Sequence, residues 1–213
     1  KVDDVVSQVN SLSALFKASD NVSLREFNLF SESILKQESS VRALEWAPII
    51  SFSQMKSFEQ KSASILKKKF TITELLANGN LILAQPRTQY APLLYIYPAY
   101  NNQAALGLDV YSNPKHILSM QNVVDSERVI ASAPITLVQD KLAKPGMLFS
   151  KAVFAPAEEM ESAINPAQNK LSGIKEDKLL GFVISVVQFD AFFQNIAKIK
   201  AKEVNFSIQD ISS

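Results

Sequence analysis

One carboxylate stands in an otherwise apolar stretch of this 213-residue chain. The stretch is Ala104-Ala105-Leu106-Gly107-Leu108-Asp109-Val110-Tyr111-Ser112, and its composition is typical of a buried β-strand. Because an unpaired charge is costly to remove from water, a buried carboxylate needs a partner or a cavity. Asp109 is therefore the first candidate for a functional group, as a binding residue or as a catalytic one.

Two interpretations of Asp109 remain open from the residues alone. It is either a structural carboxylate, bonded to backbone amides or to a nearby lysine or arginine, or an anchor for a ligand. Strand alternation would place Ala105, Gly107, Asp109 and Tyr111 on one face. The small residues on that face would either leave room beside the carboxylate or allow close packing of a helix.

The residue types that catalysis requires are scarce. His116 is the only histidine and is predicted at the start of a helix, and the chain has no Gly-x-Ser-x-Gly nucleophile motif. One histidine, no cysteine and no EF-hand spacing argue against a metal site, and five glycines leave little for a phosphate loop. Glu158, Glu159 and Glu161 are predicted in a solvated loop. We expect no catalytic residue, no metal and no cofactor.

Charge and hydropathy limit the partners of the chain. Its 22 basic and 21 acidic residues give a net charge of +1, so we expect no nucleic-acid binding. Lys67-Lys68-Lys69 is interpreted as a solvated helix end. There is no run of about 18 apolar residues that would span a bilayer. The chain begins within a helical pattern and without Met, so we interpret it as a segment of a longer protein.

Helical periodicity dominates the first third of the chain. A helix is predicted over Val2–Phe16, a second from the capping box Ser23-Leu24-Arg25-Glu26 through Val41 and Leu44 to near Pro48, and a third from Ser53 to Leu66.

Strand patterns dominate from residue 70 onward. Strands are predicted over Phe70–Thr73, Leu93–Ala99, Ala104–Ser112, Val129–Gln139, Met147–Phe154 and Leu179–Gln188. A helix is predicted from Pro114 to near Asp125, a loop over Glu158–Lys178, a helix over Phe189–Ile199 and a last strand over Val204–Ile208. This order predicts an α+β fold in which one antiparallel sheet has helical crossovers, the type called PAS-like.

Six landmarks in this order resemble the CHASE domain, the extracytoplasmic sensor module of receptor histidine kinases and cyclic-di-GMP enzymes. They are Ala43-Leu44-Glu45-Trp46-Ala47-Pro48, Phe58-Glu59, Tyr90-Ala91-Pro92-Leu93, Leu106-Gly107-Leu108-Asp109, Ser132-Ala133-Pro134-Ile135 with Leu137-Val138-Gln139, and Leu180-Gly181-Phe182-Val183. The resemblance implies a long N-terminal helical stalk followed by tandem PAS-like subdomains. The expected division is 1–67 for the stalk and connecting helices, 68–156 for the membrane-distal, ligand-binding subdomain and 157–213 for the membrane-proximal one.

The resemblance also implies a ligand site. In cytokinin-binding members, an aspartate matching Asp109 and a backbone group near the position of Ala131 bond the ligand. Tyr95, Tyr97 and Tyr111 make this chain more aromatic and polar than the plant pattern. The predicted ligand-binding residues are Asp109, Ala131, Ser132, Tyr97, Tyr111 and Phe149.

We therefore expect a small-molecule-sensing domain on the periplasmic or extracellular side of the cytoplasmic membrane. It would belong to a membrane-anchored receptor with a kinase or cyclic-di-GMP output, and it would form a homodimer through its N-terminal helices. Two alternatives stay open: a periplasmic protein-interaction module without a small-molecule pocket, and a periplasmic hydrolase.

Overall fold

A computed structural model describes residues 2–35, 40–76, 79–112, 114–136, 145–155 and 178–188, without the side chains of residues 114–119 and 136. Its helices are α1 (Val2–Lys17), α2 (Leu24–Leu35), α3 (Met55–Leu66) and α4 (Pro114–Ser126). Its strands are β1 (Val41–Pro48), β2 (Ile50–Ser51), β3 (Thr73–Leu75), β4 (Leu81–Leu83), β5 (Gln89–Tyr90), β6 (Tyr95–Tyr97), β7 (Ile130–Ala131), β8 (Ile135–Thr136), β9 (Pro145–Phe154) and β10 (Leu179–Gln188).

One antiparallel sheet organises these elements. Its strand order is β6-β1-β10-β9-β7, and β8 also pairs with β9. The long strands β1, β10 and β9 lie side by side at its centre, although β1 and β10 are separated by more than 130 residues of chain. The α+β class and the PAS-like antiparallel sheet are thus confirmed. The sheet takes strands from each of the three predicted segments, and the division into domains stays a prediction.

The sheet is buried on both faces. The pairing register places Leu44, Tyr97 and Phe149 on the side that α1 and α2 cover, which we call the α1 face. It places Glu45, Ile184 and Ser150 on the opposite side, which we call the α4 face. The α4 face packs against α4 and against the segment 103–111. Each face therefore has its own apolar core.

Helix α1 confirms the helix predicted over Val2–Phe16, and its buried apolar residues form a stripe along one side of it. Val5, Val9 and Leu12 are fully buried, and α1 packs against β9 and β10 of the same chain. At its end the ring of Phe16 stacks on Trp46 of β1 with centroids 3.8 Å apart. The stripe is thus occupied within the chain, so a dimer through α1 would have to use the helix's other side.

The second predicted helix is wrong from residue 41 onward. Val41 and Leu44 lie in β1 and not on a helix. The segment is the central strand of a sheet that is covered on both sides, and five residues in succession, from 43 to 47, are buried in it. Such a strand carries no polar alternation. Its spacing of three between Val41 and Leu44 therefore imitated a helical pattern.

Most other elements confirm the predictions, with changes at their ends. The capping box at Ser23 and Glu26, helices α3 and α4, and strands β9 and β10 are present as expected. The predicted strand at Phe70 starts only at Thr73, Leu93–Ala99 shortens to Tyr95–Tyr97, and the described part of Val129–Gln139 holds the two short strands β7 and β8. The predicted helix at Phe189–Ile199, the strand at Val204–Ile208 and all but Lys178 of the loop at Glu158–Lys178 lie outside the described residues.

Candidate functional site

The segment around Asp109 is not the strand that its composition predicts. A short 3-10 turn covers Gln103–Ala105, and only isolated bridges follow, from Leu108 to Thr73 and from Asp109 to Pro92. Gly107 breaks the pleat with a φ of +84°, in the left-handed region. Its backbone also approaches Thr71 so closely that a Cβ would overlap the carbonyl oxygen of Thr71. The segment is held as a bent connector and not as a regular strand.

This connector is nevertheless firmly bonded on both sides. Asp109 donates its backbone N–H to the carbonyl of Thr73 at 2.8 Å, and Val110 donates to Ala91 at 3.0 Å. Gly107 donates to Leu93 at 2.9 Å. The connector therefore ties the β3–β4 hairpin to the segment that leads into β6, and it positions the side chain of Asp109 between them.

The carboxylate of Asp109 is fully buried and has three hydrogen-bond donors. Oδ1 accepts the backbone N–H groups of Ala91 at 2.8 Å and of Tyr111 at 3.1 Å. Oδ2 accepts from Nη1 of Arg87 at 2.9 Å. Burial raises the pKa of Asp109 above its ordinary value, while the backbone bonds and Arg87 act in the opposite direction. The geometry fulfils the requirement that a buried carboxylate be paired.

Arg87 links Asp109 to a second carboxylate. Its Nη2 forms an ion pair with Oε2 of Glu74 on β3. Its backbone N–H donates to the hydroxyl of Tyr90 at 3.0 Å, and its guanidinium carbon lies 5.7 Å from the centroid of the Tyr90 ring. The arginine side chain is 26% exposed, whereas that of Asp109 is fully covered. Arg87 is thus the part of this network that solvent or a ligand reaches first.

The sequence did not point to Arg87. The general rule that a buried carboxylate needs a cation did apply, but 22 residues separate Arg87 from Asp109 along the chain. Nothing in their spacing shows that the connector brings them together.

Tyr111, two residues after Asp109, lies on the α4 face of the sheet. Its ring meets Phe182 of β10 edge-on, with centroids 5.6 Å apart and planes at 79°. Burial, and secondarily the charge of Asp109, raises the pKa of Tyr111 to about 12. The phenol is therefore a neutral hydrogen-bond donor at physiological pH.

Tyr97 and Phe149 lie on the other side of the sheet. Both side chains belong to the core beneath α1 and α2. The register pairs Tyr97 with Leu44 and Phe149 with Ser185, which are α1-face positions. The structure therefore separates these two predicted ligand contacts from Tyr111, and their role stays a prediction.

Ala131 and Ser132 lie at the edge of the sheet beside β9. Ala131 is exposed and pairs with Phe149. Ser132 donates its N–H to the carbonyl of Leu148 at 2.8 Å, and its hydroxyl accepts the N–H of Leu148 at 3.0 Å. The hydroxyl also donates to the carbonyl of Ala133 at 2.7 Å. These bonds fasten the chain after β7 to β9.

A second acidic residue is buried on the α4 face, and sequence reasoning treated it only as part of a family motif. Glu45 on β1 is 2% exposed. Burial raises its pKa to about 8. A carboxyl at the centre of a sheet is unusual, since glutamate is rarely fully buried.

The described part of the chain has neither a cluster of metal-binding side chains nor a helix suited to span a membrane. No group of three or more histidine, aspartate or glutamate side chains there is arranged to hold a metal ion. Among the helices in these ranges, none combines the length and the apolar composition that a membrane span requires. The backbone of His116 lies in α4, and its side chain is outside the description.

Comparison with known proteins gives the following matches. The family model of the CHASE domain matches residues 20–213. A germination-specific adenylate cyclase of Dictyostelium discoideum is 30% identical over 109 residues, which are 51% of this chain and 12% of that protein. The solved structure of an extracellular ligand binding receptor from Desulfohalobium retbaense DSM5692 matches 92% of this chain and 24% of its own, with a TM-score of 0.50 and 9% identity. At that identity the likeness shows the fold alone, and this chain spans a small part of both proteins.

Proposed function

Because the chain belongs to the CHASE domain family, whose members are sensor domains of signalling receptors, we propose that it senses a small molecule outside the cytoplasmic membrane. The observation that carries this proposal is the Asp109 network. One buried carboxylate accepts hydrogen bonds from the side chain of Arg87 and from the backbone N–H groups of Ala91 and Tyr111. A ligand that takes over one of these bonds would change how the connector is held against the sheet.

The contact with Arg87 is the one that a ligand would replace. The two backbone donors belong to the connector (Tyr111) and to the segment bonded to it (Ala91), whereas the guanidinium is partly exposed and already shared with Glu74. A ligand N–H group at Oδ2 of Asp109 would leave Arg87 paired with Glu74. Tyr111 is bonded to the same carboxylate through its backbone N–H, and its neutral phenol and the backbone groups of the edge strand at Ala131 and Ser132 would be the further ligand contacts. We propose Asp109 as the anchor, with these groups in support.

The bound state would be transmitted through the N-terminal helix and the C-terminal part of the chain. Trp46 on β1 stacks on Phe16 of α1, and β1 pairs along its whole length with β10. A shift of the sheet would therefore move α1 and β10 together. Transmission requires that the ligand bind two arrangements of the sheet with different affinity.

The rest of the receptor is also part of the proposal. The domain would be membrane-anchored, with a cytoplasmic kinase or cyclic-di-GMP output, and would act as a homodimer through its N-terminal helices. Since the apolar stripe of α1 faces its own sheet, the dimer would use the side that carries Ser7, Asn10, Ser11 and Ala14. Sedimentation of the domain would test whether it forms a dimer.

A thermal-shift screen of the domain against amino acids, nucleobases, organic acids and peptides tests the binding function. We expect at least one class to raise the melting temperature with saturation, because a ligand of the native state stabilises it by mass action. Asp109→Asn should weaken that hit, while Asp125→Asn on the exposed side of α4 should not. A hit that both variants bind equally would refute the anchor. A screen without any saturable shift would count against small-molecule sensing.

A further inference from the structure

The hairpin of β3 and β4 has one free edge among the described residues. Strand β4 pairs with β3 and with no other described strand. The edge of β3 on the other side is occupied by the connector, since Thr73 donates its N–H to Gly107 at 2.9 Å and accepts from Asp109 at 2.8 Å. A free strand edge exposes backbone N–H and C=O groups that can pair with another chain.

The hydrogen bonds of the hairpin identify the backbone groups that point to this free edge. Ala84, just after β4, donates its N–H to the carbonyl of Ile72 at 3.1 Å. Bonded and non-bonded pairs alternate along an antiparallel ladder. The backbone groups of Ile82, two residues before Ala84, therefore also face β3, whereas those of Leu81 and Leu83 point away from it.

The edge of β4 lacks the features that usually prevent pairing with another chain. Natural edge strands carry charged residues or prolines for this purpose. Residues 75–85 contain neither, and the side chains of Leu81 and Leu83 are 39% and 66% exposed. The side-chain amide of Gln85 contacts the carbonyl of Leu83 at 3.4 Å, which is long for a hydrogen bond. In the described structure this edge is thus open to a further strand.

The sequence of β4 is suited to pairing with itself. A two-fold contact between identical chains places one surface patch against the same patch of the other copy. Leu81-Ile82-Leu83 reads the same in both directions. With the axis at Ile82, Leu81 of each copy would lie opposite Leu83 of the other, and their outward backbone groups would exchange hydrogen bonds. The leucines of both copies would then lie on one face of the joined sheet.

From this edge we infer that a second copy of this chain binds at β4, through a two-fold antiparallel contact of β4 with β4 that joins two hairpins into one sheet. An uncharged, apolar and self-complementary edge fits a second copy, because no charge on it opposes the contact. The surface differs from the side of α1 proposed above, and the inference does not depend on the identity of a ligand. Since Glu74 on β3 pairs with Arg87, the contact would also connect the Asp109 networks of the two copies.

Cysteine cross-linking tests the register of this contact. The chain has no cysteine, so Ile82→Cys introduces a single thiol. In the two-fold contact the two cysteines would form a non-hydrogen-bonded pair with Cα atoms about 4.5 Å apart, which a disulfide spans. Under mild oxidation, Ile82→Cys should form a disulfide-linked dimer at least about tenfold faster than Ser64→Cys, because the contact holds the thiols together. Ser64 is an exposed position on α3 and serves as the control.

Sedimentation equilibrium measures the contact without a cross-link. It is carried out on Ser11→Lys, whose added charge on the exposed side of α1 removes any association through that helix. The β4 contact is small, so we expect a Kd on the order of 100 µM. Adding Leu83→Lys should weaken it at least about tenfold, because the lysines of the two copies would lie close together on one face. Adding Ser64→Lys instead should leave it unchanged. Leu83 is largely exposed, so its variant should keep the stability of the parent in urea unfolding.

Three results would each overturn the inference. They are a Ser11→Lys domain that is monomeric at about 1 mM, an association that Leu83→Lys leaves intact, and disulfide formation at position 82 that is no faster than at position 64. Loss of association in Ser11→Lys alone would assign the dimer to α1. The thermal-shift screen measures ligand binding separately, so the sensing function stands or falls independently of the β4 contact.

Discussion

Replacing Glu45 by glutamine should change how the stability of the domain depends on pH. The carboxyl is buried at the centre of the sheet, and burial raises its pKa from an ordinary 4.5 to about 8. Between these two values the folded chain binds more protons than the unfolded chain. Stability must therefore fall as pH rises from about 4.5 to about 8. Glutamine keeps the shape of the side chain but cannot ionise, so it removes this loss.

The size of the effect follows from the distance between the two pKa values. The rise of the pKa from 4.5 to about 8 corresponds, at about 1.4 kcal/mol per unit, to a total loss of about 5 kcal/mol in the free energy of unfolding. Over the range from pH 5 to pH 9, the free energy of unfolding should fall by about 4 kcal/mol. The free energy of unfolding of a domain is typically about 5–15 kcal/mol, so the unaltered domain should be much less stable at pH 9 than at pH 5.

Urea unfolding at pH 5, 7 and 9 measures this dependence, and Trp46, the only tryptophan, reports it by fluorescence. The buried ring lies next to Glu45 on β1 and stacks on Phe16, so unfolding exposes it. Glu59→Gln serves as the control, because it removes a carboxylate on α3 and keeps an acceptor for the N–H of Ile72. Parallel stability curves for the unaltered domain and Glu45→Gln would show that Glu45 is ionised at no free-energy cost and that burial does not raise its pKa.

Three further substitutions test the elements that position the site, each by urea unfolding against a matched control. Gly107→Ala should destabilise the domain by more than Gly79→Ala; both glycines have positive φ, which costs about 1–2 kcal/mol, but only at Gly107 does a methyl group meet the backbone of Thr71. Equal losses would show that the connector yields easily. Arg87→Ala should cost about 1–3 kcal/mol because Asp109 stays buried without its cation, whereas the exposed Arg128→Ala should have little effect. If the two arginine variants behave alike, the ion pair does not hold the connector. Leu12→Ala should cost about 2–5 kcal/mol since its side chain is fully buried under the sheet, and Val2→Ala, at a half-exposed position, should cost little. A small loss at Leu12 would mean that α1 is not an integral part of the domain.

The elements that could be predicted from the sequence are those with one buried face or a clear local signal. Helix α1 shows its stripe because its other side meets water, and the capping box at Ser23 is a local bond within four residues. Strand β1 was missed for the opposite reason. It is covered on both sides, and its partner β10 lies far along the chain, so neither alternation nor proximity distinguishes it from a helix.

The candidate site shows the same limit. The burial of Asp109 was predicted because a carboxylate among apolar residues is a local pattern. The strand around it was wrong, since Gly107 takes a positive φ that apolar composition does not reveal. Arg87 and Glu45 became visible only with the fold. Arg87 matters because the connector brings Asp109 into contact with it. Glu45 matters because β1 is a central strand of the sheet. Both depend on the tertiary structure.

Glu45 and Trp46 are neighbours on β1 and lie on opposite faces of the sheet. Successive residues of a strand point to opposite sides, so the carboxyl faces α4 while the indole faces α1. The α4 face at Glu45 is therefore one residue away from the stack of Trp46 on Phe16. Because packed interiors hardly compress, a displacement of β1 on one face is passed to the helix on the other face and is not absorbed between them. Under the proposed function, β1 is therefore a direct physical connection between the α4 face of the sheet and the N-terminal helix.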